Sequence, residues 1–176
     1  LARRIKRELS DEQNELLSTL RSVKGNMTAI AFLPTPESQL ERYEDIALPA
    51  LADAAEAGGS IAPVKGRETS RASVGDLAAD LASAIVGPLR DRLERAVSES
   101  WGDRDDLAQR IRSTFREWKS QRVDESVEFG VLSACNRGIL DRLPKGSQVR
   151  WVVAAGDAPS PDCEDNSLSG ATERGA

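Results

Sequence analysis

The stretch from Asp103 to Leu143 carries apolar side chains at Leu107, Ile111, Phe115, Trp118, Val123, Val127, Val131, Cys135 and Ile139. The steps are mostly four, with one three and one five, and such steps keep the side chains on one side of an amphipathic helix. Roughly 40 residues at about 1.5 Å rise make a rod of about 60 Å. The spacing predicts helix for most of this length, with any break near Gly130. Pro144-Lys145-Gly146-Ser147 then stops it, because proline cannot continue the hydrogen-bond ladder and glycine takes the turn. Gln148 to Val153 follows, rich in β-branched and aromatic residues, and predicts a strand. Trp151 shares one face of it with Val149 and Val153, so its large ring is expected to be buried.

The same period runs through the rest of the chain. Leu1, Ile5, Leu9, Leu16, Leu20 and Val23 mark a first helix over 1–23, widened by Leu17. Arg3, Arg4, Lys6 and Arg7 crowd its start against the helix dipole, so a start before Leu1 is expected. This basic start reads either as a surface for DNA or an anionic membrane or, more simply, as a solvated face balanced by Asp11, Glu12 and Glu15. Thr35 as N-cap, Pro36 as first helical residue and Glu37 in the first turn open a second helix. It is expected to run to about Ala57, with Leu40, Tyr43, Ile46 or Ala47, Leu51 and Ala54 inward, a kink at Pro49, and a stop at Gly58-Gly59. A linker over 58–72 precedes a third helix capped by Ser73 with Asp76. Leu77, Leu81, Ile85, Leu89, Leu93 and Val97 step by four along it, with a kink or break expected at Gly87-Pro88.

The fold class expected is therefore mainly α, with elongated helices and a small C-terminal β element. Residues 1–72 form an N-terminal helical region with its linker. Residues 73–176 form a long-helix region with the strand and a loop, and the two can make one continuous domain. Hydrophobic content of 39% with 4% aromatics suits thin helices better than a thick core. The chain begins at Leu1 and ends in Ser/Gly-rich sequence, as expected of part of a longer polypeptide. No apolar run is long enough for a transmembrane helix and no signal peptide is visible, so no membrane partner is expected.

The chain contains no histidine, which removes Ser-His-Asp, Cys-His and His-metal chemistry from these 176 residues. No Gly-Lys-Ser/Thr phosphate loop is present, so neither catalysis nor a cofactor is expected. Cys135 lies on the apolar stripe as a small core hydrophobe, and a disulfide with Cys163 is not expected. Asp157, Asp162, Cys163, Glu164 and Asp165 share one loop. Asp162, Cys163 and Asp165 are its metal candidates, but zinc wants four Cys or His ligands and one is present, which favours a solvated acidic loop.

Arg110, Arg112, Arg116, Lys119 and Arg122 lie on the long helix, and Arg112, Arg116 and Lys119 fall along one side of it. The strip offers weak nucleic-acid contact through phosphates. Asp103, Asp105, Asp106, Glu117, Asp124 and Glu125 interleave, and helical pairs four apart account for the pattern more simply. A net charge of −5 also argues against a general nucleic-acid binder.

Arg122, Ser126, Gly130, Ala134 and Gly138 repeat at four-residue steps. Trp151 follows on the strand, then Pro161-Asp162-Cys163 and Leu168-Ser169-Gly170. Over roughly the last 60 residues this order resembles the C-terminal domain of phage minor head proteins of the Mu F-like head-morphogenesis family. The family's Cys-x-x-Cys is Ser160 and Cys163 here. The resemblance implies a structural protein near the portal on the capsid interior, with portal or capsid proteins as partners and the virion as its location. Two other classes stay open: a bacterial cytoplasmic helical scaffold or adaptor of cell-division type, and the non-catalytic part of a longer enzyme. Thin helices bury little surface alone, so the stripe holding Leu81 and Leu89 is expected to be covered partly by another chain. The expected interaction residues are thus Leu81, Leu89, Arg112, Arg116, Arg122 and Trp151.

Overall fold

The computed structural model describes residues 1–22, 32–61, 74–100, 102–150 and 171–173. They form five helices and two short strands: α1 (Ala2–Ser22), α2 (Pro36–Ile61), α3 (Gly75–Glu99), α4 (Arg104–Gln121), α5 (Val123–Arg142), β1 (Gln148–Arg150) and β2 (Ala171–Glu173). The protein is mainly helical with a small C-terminal β element. β1 and β2 pair antiparallel, with Val149 opposite Thr172. Trp151 and the loop holding Asp162, Cys163 and Asp165 lie outside the described residues.

The caps follow from the sequence. Thr35 Oγ1 accepts from the Ser38 N–H at 3.3 Å, just ahead of Pro36. Asp103 Oδ1 accepts from the N–H groups of Asp105 and Asp106 at 3.1 and 3.0 Å, satisfying donors that have no partner within the helix. After α5, Leu143 is extended as a residue before proline must be, and Gly146 takes φ +80°, which a side chain would resist. Ser73 lies outside the described residues. Asp76 pairs across to Arg137 on α5 at 2.9 Å. Pro49 and Pro88 both sit inside helices, α2 and α3, so Gly87-Pro88 does not break α3.

Three expectations are corrected. The long run is two helices, and the joint is Arg122, not Gly130. The reason lies in the five-residue step from Trp118 to Val123: in one continuous helix these two would face apart, and a one-residue joint lets both be buried. The Arg122 N–H still bonds the Trp118 carbonyl at 3.1 Å, and the Arg122 carbonyl accepts from Ser126 at 3.0 Å. Asp124 and Glu125 then fill the first turn of α5, where negative charge suits the helix dipole.

Gly58-Gly59 does not stop α2, which runs on to Ile61 with both glycines buried. Near its C-terminal end α2 meets α5 with almost no side chain between them. A methyl added at Gly58 would overlap the backbone of Cys135, and one at Gly138 would overlap the Ala55 carbonyl. The glycines are notches that let two backbones approach. The buried face of α5 is accordingly Val123, Val127, Gly130, Ala134 and Gly138. Val131 and Cys135 are half-buried at its edge, and the Cys135 thiol donates to the Ala54 carbonyl at 3.3 Å. On α2 the buried set is Gln39, Tyr43, Ala47, Leu51 and Ala55 with the two glycines, while Leu40, Ile46 and Ala54 are half-buried.

The third correction concerns the stripe on α3. Leu81, Ile85, Leu89, Leu93 and Val97 are buried within this chain, because α2, α4 and α5 all pack on α3. Each such side chain contributes about 1.5–3 kcal/mol on leaving water. Leu81 and Leu89 are core residues, so the stripe is covered by this chain's own helices.

Candidate functional site

Three features stand out from this bundle: a buried polar cluster, a basic groove and an exposed apolar face. The polar cluster centres on Glu12, whose side chain is buried at 1% exposure. It fills the gap between Leu9 and Leu16 in the stripe of α1. Its carboxylate accepts from Tyr43 Oη at 2.7 Å and from Gln39 Nε2. Gln39 Oε1 in turn accepts from Arg90 on α3 at 2.7 Å, and Arg90 also donates to the Pro34 carbonyl at 2.6 Å. Arg42 brackets the cluster from outside, pairing with Glu8 at 3.2 Å and Glu15 at 3.4 Å.

Burial pushes the Glu12 carboxyl above its usual range, against the opposing effect of the bonds from Tyr43 and Gln39. The same burial, and the adjacent carboxylate, push the Tyr43 phenol up. The cluster ties α1, α2 and α3 together through groups that each have a partner, which is what makes burial of a carboxyl tolerable. Its role is structural. The sequence signal was the absence of an apolar residue between Leu9 and Leu16, which leaves Glu12 on the inward face.

The basic groove lies between α1 and α4. Gln13, Arg112, Arg116, Lys119 and Ser120 line an open depression of about 460 Å³. Lys119 Nζ donates to Ser10 Oγ at 3.0 Å and to Gln13 Oε1 at 3.2 Å, both neutral acceptors. Pairing four residues apart is seen for Arg110 with Asp106 at 2.8 Å, and pairing three apart for Arg122 with Glu125 at 3.9 Å. It does not extend to Arg112 and Arg116, neither of which has an acid three or four positions away. Arg122 sits at the helix joint, away from the groove lining.

The apolar face lies between α3 and α5. Leu77, Leu81, Ala84, Phe129 and Gly130 line a groove of about 330 Å³, with Asp80 and Glu125 at its edges. Phe129 is 74% exposed and Leu132, three residues on, is 56% exposed. These two point outward because α5 turns its small residues toward α2. Sequence reading that takes every large apolar residue on a helix as core misses them.

Among the described residues, no group of three or more Cys, Asp or Glu side chains could hold a metal ion. No helix among them is long and apolar enough to cross a membrane. Compared with known proteins, the chain matches no family model, no curated protein and no solved structure.

Proposed function

We propose that this chain is a structural, assembly-forming protein of the phage minor head type, engaging portal- or capsid-type proteins in the virion. The observation that carries the assembly role is the outward pair Phe129 and Leu132 beside the groove of Leu77, Leu81 and Ala84. Exposed large apolar side chains beside an apolar groove mark a protein contact surface. Covering Phe129 alone contributes about 1.5–3 kcal/mol. The head-protein assignment rests on the resemblance at Arg122, Ser126, Gly130, Ala134 and Gly138. Absence of histidine from the chain agrees with a non-catalytic part.

Sedimentation of the full chain at tens of micromolar, alone and mixed with portal and capsid proteins of a tailed phage, tests the reading. The expected result is self-association or co-sedimentation, lost in Phe129→Ser/Leu132→Ser while helicity is unchanged. A monodisperse monomer that binds neither protein contradicts it.

A further inference from the structure

We propose that the groove between α1 and α4 is a docking surface for the phosphate backbone of a nucleic-acid duplex, bound without sequence preference through Arg112, Arg116 and Lys119. This goes beyond the assembly role and does not depend on it.

Three observations carry it. The first is charge without a counter-charge. Several other arginines of the last three helices each sit against a carboxylate: Arg92 against Glu117 at 2.6 Å, Arg110 against Glu99 at 2.6 Å and Asp106, Arg142 against Glu56 at 2.5 Å. The neighbouring groove between α3 and α4 shows the contrast, since Glu99 lines it together with Arg92, Arg95 and Arg110. Among the described residues, no carboxylate contributes to the lining of the α1–α4 groove. Arg112 and Arg116 form no ion pair among the described residues, and the positions three and four away hold Ala108, Gln109, Ser113, Phe115, Lys119 and Ser120.

The second is order. Lys119 is held in place by Ser10 and Gln13, which fix the ammonium without neutralising it. Arg112 and Arg116 stand one turn apart, about 6 Å along the axis, so two guanidinium forks face successive positions of a ligand. A strand that carries a phosphate at every step meets such a row, and Gln13 and Ser120 add neutral hydrogen-bonding groups beside it.

The third is shape. The depression is open, which suits a continuous backbone laid across it better than an enclosed small ligand. Among the described residues its lining holds no aromatic side chain on which unpaired bases could stack. Backbone contact to a duplex is the mode that needs neither base edges nor stacking. With a chain charge of −5, binding depends on this local positive charge and is strongly salt-dependent. Three phosphate contacts give a slope of about −2.7 in log affinity against log salt for duplex DNA.

The test uses the full chain and a fluorescent 20-base-pair DNA duplex of arbitrary sequence, with anisotropy read at increasing sodium chloride from low salt. Expected is binding with a slope between about −2 and −3, equal for two unrelated sequences, and weakened at least tenfold by Arg112→Glu/Arg116→Glu. Arg122→Glu, outside the groove, changes affinity less than twofold. Arg112→Gln/Arg116→Gln gives the same loss should the double Glu variant fail to fold, as judged by circular dichroism. The proposal is overturned by no binding at low salt, by binding unchanged in the groove variants, or by a poly-glutamate peptide competing as well as unlabelled duplex. That last result would assign the groove to an acidic protein partner.

Discussion

Gly138 on α5 faces the Ala55 carbonyl on α2 so closely that no β-carbon fits between them. Four positions earlier Ala134 is fully buried, and four before that Gly130 lies against Leu81 and Leu51. The seam of small residues sets how near α2 and α5 come, and thereby places Phe129 and Leu132 on the outside.

Gly138→Ala is therefore expected to destabilise the protein by about 1–3 kcal/mol or more through overpacking, despite alanine's better helix propensity. Gly58→Ala is expected to do the same against Cys135. Gly75→Ala, at the first position of α3 and facing open space, is expected to leave stability unchanged or raise it slightly. Urea denaturation followed by circular dichroism compares the three. A Gly138→Ala protein as stable as the parent would show that the seam is looser than described.

Leu89→Ala is expected to cost about 2–5 kcal/mol, since the side chain is fully buried against the rest of the bundle. Leu89→Asp and Leu81→Asp are expected to abolish cooperative thermal melting rather than merely to disrupt association. Retention of native helicity and melting with loss of an oligomer would restore the view that these residues face another chain.

The periodic stripes made the helices legible, and Thr35, Pro36 and Asp103 marked where two of them begin. What the stripes could not convey was which way a helix turns when its neighbour comes close. Gly58 and Gly59 carry the local signature of a stop, yet the tertiary approach of Cys135 and Arg142 uses them as a notch inside the helix. The five-residue step at Trp118–Val123 held the signal for the joint, but glycine at 130 offered the stronger local cue. Glu12 reads as one of several surface acids until Tyr43, Gln39 and Arg90, distant in sequence, are brought around it. In the candidate site, the row of Arg112, Arg116 and Lys119 followed from helical spacing. That the first two have no counter-charge among the described residues depended on where the acids of the bundle went.

Acid titration provides a separate check on Glu12. Its carboxyl in the folded chain titrates above the ordinary value of 4.5, because burial disfavours the charged form. The folded state thus takes up a proton before the unfolded state does. This group's contribution to stability is fully present below 4.5 and is lost as pH rises through the raised folded value. Glu12→Gln mimics the protonated acid at every pH. The stability of the parent relative to Glu12→Gln is expected to rise as pH falls from neutrality toward 4.5 and then to level off. Asp76, hydrogen-bonded by Arg137, and Asp106, bonded by Ser100 and Arg110, are held below 3.8, so their losses fall below this window. Denaturant melts of both proteins across this range measure the difference. A flat difference would place Glu12 in water.

Phe129→Ser/Leu132→Ser is expected to leave the thermal midpoint within a few degrees of the parent, because both side chains are more than half exposed. A fall as large as that of Leu89→Ala would mean that the face is part of the core, and the case for a contact surface would go with it.

The assembly role is tested most directly by asking where the chain resides. Phage particles purified by density gradient from the source cells can be analysed by quantitative mass spectrometry. The account predicts peptides of this chain in the assembled heads, in few copies relative to the major capsid protein, and their depletion when Phe129→Ser/Leu132→Ser replaces the parent. Peptides confined to the free cytoplasmic fraction, with heads forming normally without the chain, would contradict it.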